Sequence, residues 1–375
     1  MAPPLALRNL VHGKTRTLVA LGGVCFAVTL LFMQLGFFAS VPLTAMLTYD
    51  ALDFDILLVS PNYVVLTQSG TFPRPHLSQP LAHPDVRTVM PVYVTRHHWR
   101  NLETRFHRAV VVLGVKPSDP ISTVPELAEQ IPALARPDTV LVDRLSRHDV
   151  GIVVPGTITE VGPRNLETIG QFTIGPGYEA GLVMVSDATF SQLHGGRPLR
   201  DVNLGLIKLR PGANPATVAE ELQANLPADV RVLTRAQLAE KEQHYWLVST
   251  STGIIFGCGV LVAGLFGVVI AYQVLSMEVT QRLSEYATLK AIGFTDGYLA
   301  RVVLKQALAI AILSYIPGYV IAVVIYYVSR GVTNLPVHMT VERAVGVFLA
   351  NLLICSLSGL AALRILRRAD PVELF

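Results

Sequence analysis

Residues 245–277 read YWLVSTSTGIIFGCGVLVAGLFGVVIAYQVLSM, 33 consecutive positions without Asp, Glu, Lys or Arg. A helix needs about 20 such residues to cross the hydrocarbon core of a bilayer. Three more windows lack all four charged residue types, at 17–49, 306–329 and 344–363. Between the first two windows lies a hydrophilic stretch, 50–244, long enough to form a domain. The pattern predicts a membrane protein with four transmembrane α-helices and one large insert between helices 1 and 2. Composition agrees: 51% of the 375 residues are apolar and only 15% are charged, against roughly 25% in soluble domains. A soluble enzyme, a collagenous chain and a disordered chain are excluded.

The basic residues Arg8, Lys14 and Arg16 before an apolar run suggest a signal peptide, but a cleavable apolar core runs only 7 to 15 residues. The 33-residue window at 17–49 would make a helix roughly 50 Å long, so an uncleaved span with an outer extension is expected. The N-terminal segment, 1–16, also suits a short interfacial helix over 5–14, with Leu7, Leu10 and Val11 opposing Arg8, His12 and Lys14. Lys and Arg number three in 1–16, four in 278–305 and three in 364–375, against two in the short loop 330–343. The positive-inside rule then puts both termini and 278–305 in the cytoplasm and the insert outside. The insert carries 18 basic and 21 acidic residues, so no basic surface for nucleic acid is expected and the lipid bilayer is the natural partner of the flanking charges. Cys25, Cys258 and Cys355 all sit in apolar windows, which leaves the insert without a disulfide framework.

Within the insert, residues 54–66, 88–95, 109–115, 182–185 and 202–209 are β-branched runs bounded by Pro, Gly or Asp, as strands are. Residues 202–233 form the clearest unit: a strand ending at Arg210-Pro211-Gly212, a helix capped by Asn214 and opened by Pro215, and a strand from Val230. An α+β insert of one or two lobes follows. The Gly- and Pro-rich run from Pro155 to Gly177 suits either a lobe boundary or a long turn.

No phosphate-binding G-x-x-x-x-G-K-[ST] motif, zinc-binding helix or nucleophile elbow occurs, and no catalytic or metal-ligating residue is assigned. Arg96-His97-His98-Trp99-Arg100 is the densest polar cluster, yet adjacent histidines on a strand face opposite ways and would not share a metal. It reads as a solvated strand end and hairpin, and Asp53-Phe54-Asp55 as a solvated strand edge. His194, Arg197 and Arg200 lie in a turn-rich run. The central regions of the spans hold no charged or histidine side chain, which disfavours self-contained ion-coupled transport. They do hold Gly253-x-x-x-Gly257, Ala263-x-x-x-Gly267 and Gly22-Gly23, small residues that let helices approach closely within or between subunits. Pro317-Gly318 is expected to bend span three, and Gln34 and Asn351 to bond between helices.

The stretch 276–298, SMEVTQRLSEYATLKAIGFTDGY, reads as a helix with Glu278 early, Lys290 late and Gly293 as its stop. Val279, Leu283, Tyr286, Leu289 and Ile292 or Phe294 form its apolar side. Its core, Glu285-Tyr286-Ala287-Thr288-Leu289-Lys290-Ala291-Ile292-Gly293, resembles the coupling loop of FtsX/MacB-type permeases of ABC transporters. Together with Met33-Gln34-Leu35-Gly36-Phe37, it looks like the DevC branch of that superfamily. The layout of one span, a large outer domain, three spans and a basic tail ending RRADPVELF is similar as well.

The resemblance implies a permease subunit that binds no cofactor itself, ATP being used by a separate ABC ATPase. It makes Glu285, Tyr286, Leu289, Lys290, Ala291, Ile292 and Gly293 the ATPase contact. It further implies a homodimer in the bacterial inner membrane, a two-lobed periplasmic domain, a membrane-fusion adaptor and an outer-membrane duct, with export of lipid-like cargo by mechanotransmission. An FtsX-like transducer acting on an envelope hydrolase is the alternative, and a membrane-anchored enzyme a more distant one.

Overall fold

A computed structural model describes residues 14–175 and 177–368. The tail at 369–375 and, but for Lys14, the interfacial helix expected over 5–14 lie outside these residues. The chain divides into two compact units, Val41–Thr250 and Met1–Ser40 with Ser251–Phe375.

The first unit is an α+β domain. Its strands are β1 (Ile56–Val59), β2 (Phe72–Pro73), β3 (Val86–Arg100), β4 (His107–Val115), β5 (Thr139–Asp143), β6 (Ile158–Val161), β7 (Arg164–Phe172), β8 (Leu182–Ser186), β9 (Asp201–Val202), β10 (Leu204–Leu209) and β11 (Arg231–Thr234). Nine of them form one sheet in the order β11-β1-β10-β3-β4-β8-β5-β7-β6, and β2 pairs with β9 alone. The long β3 is shared along its length. Its first part, from Val86 to Val92, pairs with β10, and the remainder to Arg100 pairs with β4. β6 then returns to β3 through Trp99 and Val161, closing six strands into a ring.

Both faces of the sheet are covered. Along β4, Val110 and Val112 belong to one apolar core, while Val111, Leu113 and Val115 belong to another. That is why these strands read as continuous apolar runs instead of alternating ones. Burial of each such side chain contributes about 1.5–3 kcal/mol. The unit at 202–233 forms as its residues dictate: the Asn214 side chain accepts from the Ala216 N–H at 3.0 Å and caps a helix at Pro215–Asn225. The Gly- and Pro-rich middle holds a turn. It makes the β6–β7 hairpin, with Gly162 at φ +57 in the turn.

Helices complete the picture: α1 (Lys14–Asp50), α2 (Pro125–Gln130), α3 (Asp187–Leu193), α4 (Pro215–Asn225), α5 (Arg235–His244), α6 (Ser251–Gln281), α7 (Leu283–Ala291), α8 (Asp296–Thr333) and α9 (Val341–Arg368). Among the described residues four stretches are long and apolar enough to cross a membrane: Leu18–Asp50, Ser251–Gln281, Gly297–Thr333 and Val341–Leu363, each holding an 18-residue window with a mean hydropathy of 2.2, 2.7, 2.4 and 2.0 in turn. The third starts well before its charge-free window, because the helix carries Arg301 and Lys305 in its opening turns.

The core of the second unit is built from small side chains. Ala271, Ala307, Ala311, Ala322, Cys355 and Ala362 are buried together with Val28 and Phe32. Small residues let helical backbones approach, and van der Waals contact then does what hydrophobic burial does in water. Asn351 donates from Nδ2 to the Ala311 carbonyl at 2.9 Å, the interhelical bond expected of it.

Candidate functional site

The segment between α6 and α8 holds the residues singled out for ATPase contact. Helix α6 runs through Gln281, and Arg282, at φ −106 and ψ 13, breaks it before α7 begins at Leu283. Glu278 therefore does not open the loop helix, contrary to the sequence reading. It is buried near the end of α6, where its Oε2 accepts from Gln306 Nε2 at 2.9 Å and lies 3.6 Å from Arg282 Nε. Helical periodicity continues across Arg282, so one non-helical residue hid the break. Glu285 occupies the first turn of α7, with Arg282 Nη1 3.8 Å away, and Lys290 the last, which matches the helix dipole.

The end of α7 is a Schellman turn. The N–H of Gly293 donates to the Lys290 carbonyl at 3.0 Å and that of Phe294 to the Leu289 carbonyl at 3.1 Å. Gly293 has φ +102, a conformation that side-chain-bearing residues rarely adopt, so the stop assigned to it is built into the backbone.

The named residues divide into a rooted and a projecting set. Tyr286 and Ala287 are buried, and Leu289 packs half-buried against the same apolar core. Burial raises the Tyr286 phenol above its usual range, and its hydroxyl has no hydrogen-bond partner among the described residues. Ile292 is 70% exposed, although the sequence reading offered it to the apolar side; Phe294, the alternative, is 40% exposed. Glu285 and Gly293 are exposed and Lys290 half-buried, while only the backbone of Ala291 is described.

The small-residue positions lie along α6. Gly253 is buried, and a Cβ on Gly257 would lie 3.4 Å from the Phe38 ring. Ala263 is buried, and a Cβ on Gly267 would touch Ile354 and Ala27 at 3.8 and 4.0 Å. The tightest approach is elsewhere. A Cβ on Gly36 would collide with the Tyr326 hydroxyl, which donates to the Phe32 carbonyl.

In the Val41–Thr250 unit the Arg/His cluster is absorbed into structure. Arg96, Arg100 and Arg108 pair with Glu179, Glu160 and Asp149 at 3.3, 3.0 and 3.4 Å. Trp99 is buried and donates from Nε1 to the Val150 carbonyl at 3.2 Å. His97 and His98 face opposite ways, His97 toward the His194 ring and His98 toward that of His107. Burial, then the neighbouring histidines, lowers the His97 pKa. Asp53 and Asp55 grip Lys208 at 2.7 and 3.4 Å. Among the described residues no three His, Cys, Asp or Glu side chains converge to hold a metal.

A buried carboxylate escaped the sequence reading. Thr234 and Gln237 form a capping box that starts α5 and brings Glu242 inside, 1% exposed. Its Oε1 accepts from the Tyr49 hydroxyl at 2.9 Å, the Leu66 N–H at 3.0 Å and the Tyr63 hydroxyl. The two phenols also touch each other. Three oxygens thus meet pairwise around two hydroxyl protons. Burial raises the Glu242 pKa against the opposing pull of these donors. The T-x-x-Q signature at Thr234 was the available signal for the helix start; nothing in one dimension joins Tyr49, Tyr63 and Glu242.

Residues 243–371 match the family described as FtsX-like permease C-terminal. No curated protein sequence matches the chain. The periplasmic region of MacB from Actinobacillus actinomycetemcomitans aligns at TM-score 0.38 and 9% identity, over 51% of this chain and 94% of that one. The extracellular domain of the noncanonic ABC-type transporter YknZ from Gram-positive bacteria aligns at TM-score 0.34 and 13% identity, over 48% and 100%. The stretch that carries α6 to α9, with the α7 segment inside it, is thus similar to the C-terminal part of FtsX-like permeases.

Proposed function

We propose that the chain is the permease subunit of an ABC-type exporter in the bacterial inner membrane, seated through α7 on a separate ATPase. The carrying observation is that the family match at 243–371 encloses a short helix rooted by Tyr286, Ala287 and Leu289 whose Schellman end turns Ile292 and Phe294 outward. A rooted helix with an exposed apolar tip suits a partner's cleft, since buried apolar anchors at the centre of an interface carry most binding energy.

In this reading both termini and α7 are cytoplasmic, Val41–Thr250 is periplasmic, and the chain works as a homodimer. Closure of two ATPase subunits on ATP pushes α7, and the spans relay the movement outward. The outer domain, with a membrane-fusion adaptor and an outer-membrane duct, then drives a lipid-like cargo. Spans whose central regions lack charged groups favour transmission of motion over a substrate path through the bundle.

The test is a mild-detergent pulldown of tagged chain, followed by mass spectrometry and an ATPase assay. Recovery of an ATP-binding subunit with a periplasmic adaptor is the expected result. An ATPase with an envelope hydrolase in place of the adaptor would identify a transducer, and no ATPase at all would overturn the proposal.

A further inference from the structure

An open groove of about 870 Å³ lies in the Val41–Thr250 unit, where the turns at Arg74–Ser78 and Pro80–Ala82 pack against the first part of β3. That volume falls within the range of small-molecule sites. Its floor is apolar and fixed: Leu77 is buried against Gly205, where a Cβ would come within 2.5 Å of Leu77 Cδ2. Val89 and Pro91 continue the lining, and Leu81, 55% exposed, stands open to solvent.

The lining carries three cations. Arg96, Arg100, Arg108, Arg136, Arg144, Arg164, Lys208 and Arg235 each have a carboxylate within 4.0 Å. Arg74, Lys116 and Arg200, the three cations of the groove, have none within that distance among the described residues, as is true of seven other cations of the unit, and the Asp119 carboxylate interacts electrostatically with Lys116 and Arg74. Two of them are joined through the backbone. Arg74 donates its backbone N–H to the Arg200 carbonyl at 2.9 Å, extending the ladder in which Pro73 faces Asp201. Asp119 and Asp201 also line the groove and hold its formal charge to +1, which suits one anionic group better than a polyanion.

We infer that this groove binds an amphiphile with a phosphate head, the phosphate between Arg74 and Arg200 with Lys116 beside it, and the apolar body along Leu77, Leu81 and Val89. Guanidinium groups match phosphate oxygens with paired hydrogen bonds. The inference deepens the lipid-like-cargo reading and rests on it only for what becomes of the ligand. Binding is measured on the chain alone, so its failure leaves ATPase docking standing, and the reverse.

The experiment is calorimetric titration of the full chain in an uncharged detergent. The probes are dihexanoyl phosphatidic acid, dihexanoylglycerol and inorganic phosphate. Phosphatidic acid is expected to bind tighter than either of the others. Arg74→Gln with Arg200→Gln should weaken it at least about tenfold, and Leu81→Gln severalfold. All three side chains are exposed, and unchanged circular dichroism confirms that the variants fold. Equal binding by wild type and the double arginine variant overturns the inference. So does inorganic phosphate binding as tightly as the lipid, which would mark a site for phosphate alone, or no binding of phosphatidic acid at millimolar concentration.

Discussion

The backbone N–H of Phe294 donates to the carbonyl of Leu289 at 3.1 Å, folding the chain back over the end of α7. Leu289 faces the bundle core and Ile292 faces away from it. The two residues sit three positions apart in one apolar pattern and have opposite surroundings.

Substitution separates them. Leu289→Asp buries a charge beside Tyr286 and should lower stability by about 2–3 kcal/mol. Ile292→Asp, on an exposed side chain, should stay within about 0.5 kcal/mol of wild type while abolishing co-purification of the ATPase. Thermal unfolding in detergent and a pulldown decide it; an Ile292→Asp chain that still brings down the ATPase removes the tip from the interface.

Gly293→Ala isolates the cost of the turn. A Cβ there meets nothing within 4 Å, so the change is paid in backbone strain at φ +102 alone. About 1–2 kcal/mol is expected, confined to the end of α7. Amide exchange over 283–294 should quicken with the rest of the chain unchanged, and uniform quickening would contradict a local role.

Gly36 and Gly22 make a matched pair on α1. A side chain at Gly36 collides with Tyr326, whereas a Cβ at Gly22 meets nothing within 4 Å. Gly36→Leu should destabilise by about 1–3 kcal/mol through overpacking, and Gly22→Leu should not. Equal melting temperatures for the two variants would contradict the packing described.

Glu242 predicts a pH dependence with a definite sign. Its folded pKa is raised, so the native chain holds a proton that the unfolded chain releases above the ordinary glutamate range near about 4.3. Stability from this group is full below that value, falls as pH rises toward the folded pKa, and is flat beyond it. Tyr63 stays neutral throughout, its pKa being raised as well. Glu242→Gln should remove this decline, while Glu242→Ala strands two phenols and the Leu66 N–H at about 1–3 kcal/mol for each. Melting curves between pH 4 and 8 report both, and a decline that survives in Glu242→Gln assigns it to another group.

Much of this was legible in one dimension where the cause is local. Charge-free windows mark the four long helices because exclusion of charge is a property of consecutive residues. Asn214-Pro215 and Gly293 announce a helix start and a helix stop because capping acts over three or four positions. The five β-branched runs each contain or overlap a strand, yet Thr139–Asp143 is a strand outside them, and β7 hides its inward residues Thr168 and Gly170 among polar neighbours. Tyr49 and Glu242 are 193 positions apart and meet only through packing. The groove cations were equally silent. Arg74 and Arg200 become neighbours only when β2 pairs with β9.

Strand β3 has a mechanical consequence. One peptide chain of 15 residues serves as both a rung of the open sheet beside β10 and a stave of the closed ring beside β4 and β6. No loop separates the open sheet from the closed ring along β3. A change in the register of β3 against β10 would therefore also change its register against β4.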